Sequence, residues 1–182
     1  MKIKDITQMA LMLALLIVLG LFPGIPLGFI PVPIVLQNLG VILAGLLLGP
    51  KKGTLTVGTF LLLVACGLPF LTGGSGGIAH FLSPTGGYLF AWLLTPWLMG
   101  SCEKIFNPKH QVVKEFIFIW LFGVLFIDGC GALWLSVYEH MSLIKALAAN
   151  IAFIPGDSLK AVLALLLVQG LLKNKQLASQ LQ

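Results

Sequence analysis

Apolar residues run along this chain in long blocks, and the polar positions fall almost entirely between them. Six blocks stand out, at approximately 6–22, 34–48, 54–68, 86–100, 116–137 and 150–172. Apolar runs of about 17 to 25 residues are the length a helix needs to cross a hydrocarbon core of about 30 Å. The pattern therefore predicts an all-α membrane protein of six transmembrane helices, with residues 1–182 forming a single integral membrane domain. The connections between blocks are too short for a soluble catalytic domain, a nucleotide-binding P-loop or a long flexible linker.

Composition strengthens this reading. Hydrophobic residues make up 58% of the chain and charged residues only 9%, against about 25% charged in a soluble domain, and the mean hydropathy is +1.04. The net charge of +5 does not point to nucleic acid, because every basic residue is a lysine and the lysines sit in short clusters between apolar blocks. Lys2 and Lys4 precede the first block, Lys51 and Lys52 join the second to the third, Lys104, Lys109 and Lys114 join the fourth to the fifth, and Lys173 and Lys175 follow the sixth. The opposite loops hold only Lys145, with Glu139, His80 and His140. Positive loops stay in the cytoplasm, so both termini are expected there.

Cys66, Cys102 and Cys130 fall within or at the ends of apolar blocks, with no CxxC pair and no histidine at metal spacing. They read as small packing residues, and neither metal nor cofactor is expected. The N-terminal run MKIKDITQMALMLALLIVLGLF resembles a signal peptide in its basic start, but no small-x-small cleavage site follows it. It reads as a retained first helix.

Two outward segments are apolar yet crowded with Pro and Gly: FPGIPLGFIPVP (22–33) and GLPFLTGGSGGIAHFLSPTGG (67–87). Neither can be regular helix throughout. Irregular backbone at membrane depth is tolerated only where protein packs on it or a cavity lies beneath it. These segments are expected to fold over the outer half of the bundle as a lid, the alternative being plain exposed turns.

The stretch FIPGDSLKAVLALLLV (153–168) puts an acid and a base into an apolar run. Pro155 and Gly156 place the start of the last helix near Asp157, where a carboxylate can accept orphan backbone N–H groups and face the positive end of the helix dipole. Lys160 opposes that dipole and costs about 2.5 to 3.5 kcal/mol to insert, so it needs an anion. Asp157, three residues earlier on the same face, is one candidate; an arriving ligand is the other. Lys160 lies about thirteen residues from Lys173, roughly 20 Å along a helix, and hence towards the outer half of the bilayer. A discontinuous helix, a buried cation and an irregular cover suit a small-anion binding site in a transporter.

With PVPIVLQNLGVILAGLLLGPKKG (31–53), GLPFLTGGSGGIAHFLSPTGGYLFAW (67–92) and FIPGDSLKAVLA (153–164) in this order, the chain resembles the BioY family, the biotin-specific substrate-binding (S) components of energy-coupling-factor vitamin transporters. The resemblance implies a six-helix S-component bundle that captures biotin near the outer face. It places the family's D-x-x-K pair on Asp157 and Lys160, and it adds Gln37 from VPIVLQ and Thr85 and Tyr88 from SPTGGY. Biotin carries a carboxylate that a lysine can hold, and a ureido ring whose N–H groups an acid can accept from. Gln37 read alone is equally a helix-to-helix hydrogen-bonding residue, and Tyr88 an interface aromatic. Gly86 and Gly87 are expected to permit close approach of ligand or helix. Two residues depart from the family pattern: Ser83, where Gly is more usual, and Asp128 within the fifth block.

The chain contains no G-x-x-x-x-G-K-[ST], so an ATP-driven step needs other subunits. The resemblance implies a transmembrane coupling subunit joined to two cytoplasmic ATPases, in a bacterial or archaeal cell membrane. Ala10 and Ala14 in ALMLA form a small-xxx-small face, either for that coupling subunit or for packing inside the bundle. An S component for another vitamin and a stand-alone biotin carrier are the rival readings. An intramembrane enzyme is not expected, since the histidines are scattered over loops and neither HExxH nor GxSxG occurs.

Overall fold

The structure, a computed structural model, describes residues 2–173; Lys175, counted above with the last lysine cluster, lies outside them. Seven α-helices follow in chain order: α1 (Ile3–Gly20), α2 (Gln37–Ala65), α3 (Gly86–Phe106), α4 (Val112–Trp120), α5 (Phe126–Tyr138), α6 (Leu143–Asn150) and α7 (Ile154–Lys173). Among the described residues there is no strand, only two isolated antiparallel bridges, Ile25 with Ile34 and Leu71 with Ser75. Three helical stretches are long and apolar enough to cross a membrane by length and composition: Ile3–Gly20, Val112–Tyr138 and Ile154–Lys173.

The second and third expected segments prove to be the two arms of one tight hairpin. Helix α2 runs through Gly49, whose φ of 73° only glycine adopts without strain, and Pro50 follows with no N–H to continue the ladder. A straight helix would set Ala44 and Gly53 about 13.5 Å apart. Instead, a methyl group added at Gly53 would lie 2.4 Å from the Ala44 carbonyl oxygen, so the chain has turned back on itself. Helix α3 seats against this turn, where a Cβ on Gly100 would meet the Pro50 nitrogen at 2.7 Å and the Gly45 oxygen at 3.0 Å.

The fifth segment is longer than its apolar block. Helices α4 and α5 are continuous through a π-helical turn, Leu121–Leu125, giving 27 residues of unbroken helix. Gly123 in this turn lies against Ile42, where a Cβ would approach Cγ1 to 2.7 Å. Helix α6 was not expected: its eight residues, LIKALAAN, are good helix formers but too few to register as an apolar block. It separates α5 from α7, which starts at Ile154 rather than near residue 150.

Phe60, Leu16, Ile42, Met99, Ile119, Ile127 and Leu135 fill the interior with almost no accessible surface. Leu11, Leu62, Trp97, Ile117, Leu159 and Leu166 point outwards and stay exposed, as suits a surface whose solvent is lipid. Lys52 Nζ reaches Asp5 Oδ1 at 2.6 Å, so the start of α1 and the tip of the α2 hairpin share one end of the bundle. Gln169 of α7 donates to the His110 carbonyl at 3.2 Å, bringing the last helix to the loop that carries Lys109.

At the other end the two Pro/Gly segments fold over the helices. Ile25 and Ile34 exchange backbone hydrogen bonds of 2.9 Å each, and the Gly73 N–H donates to the Gly20 carbonyl at 3.2 Å. Ile30, Val32 and Leu71 of these segments are buried. The segments are therefore pinned to the bundle rather than extended as free turns.

The hairpin supplies a stability test with two separable causes. Gly49→Ala meets no neighbouring atom but forces an L-residue into positive φ, a cost of about 1–2 kcal/mol. Gly53→Ala drives a methyl group into a backbone carbonyl that cannot swing aside, so its loss should match or exceed that of Gly49→Ala, at about 1–3 kcal/mol. Thermal unfolding of the detergent-solubilised variants measures both, and a Gly53→Ala protein as stable as wild type would rule out the reversal at Gly49.

Candidate ligand-binding site

Between the lid segments and the ends of α2, α3, α5 and α7 lies a cavity of about 420 Å³, within the ~300–1,000 Å³ of small-molecule sites. Pro31, Val32, Pro33, Ile34, Leu71, Leu89 and Phe153 make most of its wall apolar, and a cluster of polar side chains interrupts it on the helical side. All five residues expected to bind ligand, Gln37, Thr85, Tyr88, Asp157 and Lys160, line this cavity.

Asp157 and Lys160 lie one turn apart on α7, with only 3% and 4% of their surface accessible. They form an ion pair. Lys160 Nζ also donates to the Val35 carbonyl at 2.7 Å, in the segment just before α2. An ammonium has three N–H donors, so one remains beyond these two partners. Of the two anions weighed for Lys160, the acid on its own helix is in place, and a donor is left over for a ligand.

Asp157 stands in the first turn of α7, as expected, but its carboxylate is spent on side chains rather than on orphan backbone N–H groups. Helix α7 begins three residues earlier, the Asp157 N–H already donates to Phe153 O at 2.9 Å, and a side chain this far inside lies past the cap position. Pro155 sits in the first turn, where its missing N–H has no cost. The carboxylate takes its second donor across the bundle: Asn38 Nδ2 reaches Asp157 Oδ1 at 3.2 Å, and Asn38 Oδ1 accepts from Trp92 Nε1 at 2.7 Å. A polar relay thus runs from α3 through α2 to α7, ending on Lys160.

Gln37 lines the cavity while spending its amide on the protein. Its Nε2 donates to the Leu16 and Phe70 carbonyls at 3.1 and 2.9 Å, and its Oε1 accepts from the Thr72 N–H and hydroxyl, both at 3.1 Å. It joins α1, α2 and the second lid segment. Tyr88 is buried, donates its hydroxyl hydrogen to Asn150 Oδ1, and stands edge-on to Phe153 with ring centroids 6.0 Å apart. It is not an interface-belt aromatic. Gly131 makes the room, since a Cβ there would fall 2.2 Å from the tyrosine ring.

Thr85 Oγ1 donates to the His80 carbonyl at 3.2 Å and lies 2.8 Å from Ser83 Oγ. The serine that departs from the family pattern also bonds the His80 carbonyl at 2.8 Å and accepts the Thr85 N–H at 3.3 Å, closing the turn before α3. Gly86 and Gly87 serve helix approach: a Cβ on Gly87 would lie 2.2 Å from Cβ of Trp134 on α5.

Asn38 and Trp92 belong to the site although sequence reasoning did not select them. The available signals were local: Asn38 is the second amide in an apolar run, and Trp92 follows Tyr88 by one helical turn. Asp128, noted for its departure, lines the same cavity from α5. Ala10 and Ala14 lie away from it on the exposed side of α1, whose buried positions are Met12, Leu16 and Gly20. Packing of those two alanines inside the bundle is therefore not what they do.

The model of the BioY family matches residues 1–176. A biotin transporter BioY of Lactococcus lactis subsp. cremoris (strain MG1363) is 51% identical over 175 residues, covering 95% of this chain and 93% of that protein. A biotin transporter BioY of Rhizobium etli (strain ATCC 51251 / DSM 11541 / JCM 21823 / NBRC 15573 / CFN 42) is 42% identical over 172 residues, 92% of each. Among solved structures, the crystal structure of the S-component for biotin from an ECF-type ABC transporter superposes with a TM-score of 0.94 at 48% identity, over 99% of this chain and 96% of that one.

The buried pair generates a prediction about stability alone. Lys160→Met leaves the Asp157 charge without its counter-ion, and Asp157→Asn leaves the ammonium without one; breaking a buried pair from either side costs about 3–5 kcal/mol. The double variant leaves neither charge stranded and should unfold closer to wild type than either single variant. A double variant whose loss equals the sum of the singles would mean the two groups are not coupled.

Proposed function

The chain belongs to the BioY family, and we propose that it is the biotin-specific S component of an energy-coupling-factor transporter. In this reading it captures biotin near the outer face of a bacterial or archaeal cell membrane and passes it inward with an ATP-driven module. It binds and carries its substrate and is not an enzyme. The observation that carries the reading is the lidded, apolar cavity with a buried donor–acceptor cluster at one side, which suits a ligand with a hydrophobic middle and polar ends. Asp157 and Lys160 supply acceptor and donor to the polar groups of biotin. Tyr88 and Phe153 offer aromatic surface to its thiophane ring and alkyl chain. Gln37 and Thr85 act by fixing the lid segments that complete the wall.

Both termini face the cytoplasm in this reading, six helical passes cross the membrane with the α2 hairpin counted as two, and the lid faces outwards. The lysine clusters support that orientation, as does the Asp5–Lys52 pair that joins two of them. The coupling subunit and two cytoplasmic ATPases supply the energy the chain has no motif to harvest. Ala10 and Ala14, exposed on a helix with few buried positions, are the surface offered to the coupling subunit.

Calorimetric titration of purified protein, without ATP or partner subunits, should show biotin binding far more tightly than riboflavin or thiamin. Lys160→Met should weaken biotin by roughly 10- to 100-fold in the folded fraction, the worth of a charge-assisted hydrogen bond of about 1.5–3 kcal/mol. Binding of another vitamin in preference to biotin would overturn the assignment.

Replacing Ala10 and Ala14 with Leu should leave biotin binding intact and lower uptake in cells that supply the coupling subunit and ATPases. Unchanged uptake would remove this face from the interface.

A further inference from the structure

The cavity contains a second acid that the Asp157–Lys160 pair does not account for. Asp128 stands in the first turn of α5, directly after the π-helical turn, with 6% of its surface accessible. It lines the cavity with Asp157 and Lys160 and feels the charge of both. Its Oδ2 is buried and no donor side chain reaches it, the Asp157 carboxyl beside Asp128 being a partner only when the two acids share a proton. A buried carboxyl oxygen with empty lone pairs is costly to leave so, and it invites a donor.

The surrounding neutral donors each have a partner already. The Tyr88 hydroxyl goes to Asn150, the Trp92 indole to Asn38, the Asn38 amide to Asp157, and the Asn150 amide to the Ala146 carbonyl at 2.9 Å. On its other side Asp128 borders a second cavity of about 430 Å³, walled by Leu125, Ile144, Leu147 and Ile151. None of those side chains can donate. Among the surrounding donors only the remaining N–H of Lys160 is uncommitted, and a ligand N–H would supply Oδ2 with the donor it lacks.

Charge decides which part of the ligand brings it. The cluster holds two carboxyl groups and one ammonium, and Asp157 already neutralises Lys160. A ligand carboxylate placed here would be a further anion with no unpaired cation to meet it. A neutral group that offers N–H donors and one carbonyl acceptor fits both vacancies, the first at Asp128 Oδ2 and the second at the remaining N–H of Lys160. A cyclic urea is such a group.

The geometry points to Asp128 as a residue that recognises the ureido ring, accepting an N–H through Oδ2 and setting the bicyclic head of the ligand against α5 and α7 with its carboxylate towards the lid. This rests on the biotin reading above. It reverses the simplest sequence-based pairing of lysine with carboxylate. His80, Ser75 and Thr72 of the second lid segment also line the cavity.

The test titrates wild type, Asp128→Leu and Asp128→Asn with three probes: biotin, biotin methylated on its ureido nitrogens, and biotin methyl ester. Asp128→Leu should bind biotin roughly 10- to 100-fold more weakly than wild type, and Asp128→Asn, which keeps one acceptor oxygen, should lose less. Wild type should discriminate strongly against the N-methylated ligand and Asp128→Leu should discriminate little. Discrimination against the methyl ester should be the same in both, because the ester alters the opposite end. Thermal unfolding without ligand should place Asp128→Leu at or above wild type, since an unpaired buried polar atom has been removed; if that variant does not fold, the same comparison is made with Asp128→Asn. Wild-type affinity for biotin in a folded Asp128→Leu protein, or equal discrimination against N-methylation by variant and wild type, would overturn the inference and leave the biotin assignment standing. A wild type that binds none of the three probes would overturn the biotin reading itself, and this inference with it.

Discussion

A lysine held away from water in an apolar bundle organises this protein. Lys160 can remain charged there only because Asp157 faces it and the Val35 carbonyl accepts from it. Each partner commits a different part of the chain. Asp157 brings Asn38 and, through it, Trp92; Val35 brings the short stretch that joins the first lid segment to α2. The same interactions that satisfy one charge thus fix α2, α3 and α7 around a common space and leave that space polar on one side.

The lid is held by a complementary device. Gln37 uses both donors and its acceptor on three separate pieces of backbone and one hydroxyl, so an irregular segment rich in Pro and Gly is tied to α1 and α2 by a single side chain. Serine at position 83 performs a similar service for the turn before α3. Apolar irregular chain is compatible with a membrane protein when its peptide groups are satisfied in this way.

The long apolar blocks could be read from the sequence because lipid demands uninterrupted hydrophobic surface, and Asp157 and Lys160 because a charge in such a block is conspicuous. What lies opposite them could not be read. Asn38 is 119 residues from Asp157, and an uncharged amide next to Gln37 gives no sign of which one faces the acid. The hairpin at Gly49 was legible as a break but not as a reversal, since Gly-Pro-Lys-Lys permits either. Helix α6 is short enough that only its packing defines it. The burial of Tyr88 depends on Gly131, whose lack of a side chain matters only once α3 and α5 are side by side.

The reversal at Gly49 also bears on how the chain enters a bilayer. The arm 37–48 is about 18 Å long and the arm 50–65 about 24 Å, at 1.5 Å per residue, each shorter than a hydrocarbon core of about 30 Å. The first arm opens with two amide side chains and the tip between the arms carries Lys51 and Lys52. Neither arm partitions readily as a solitary stretch, so the two are expected to leave the translocation machinery together, back to back, with the lysines holding the bend at one membrane surface. Folding of this region is then completed within the membrane plane, when α3 closes against the bend through Gly45 and Gly100.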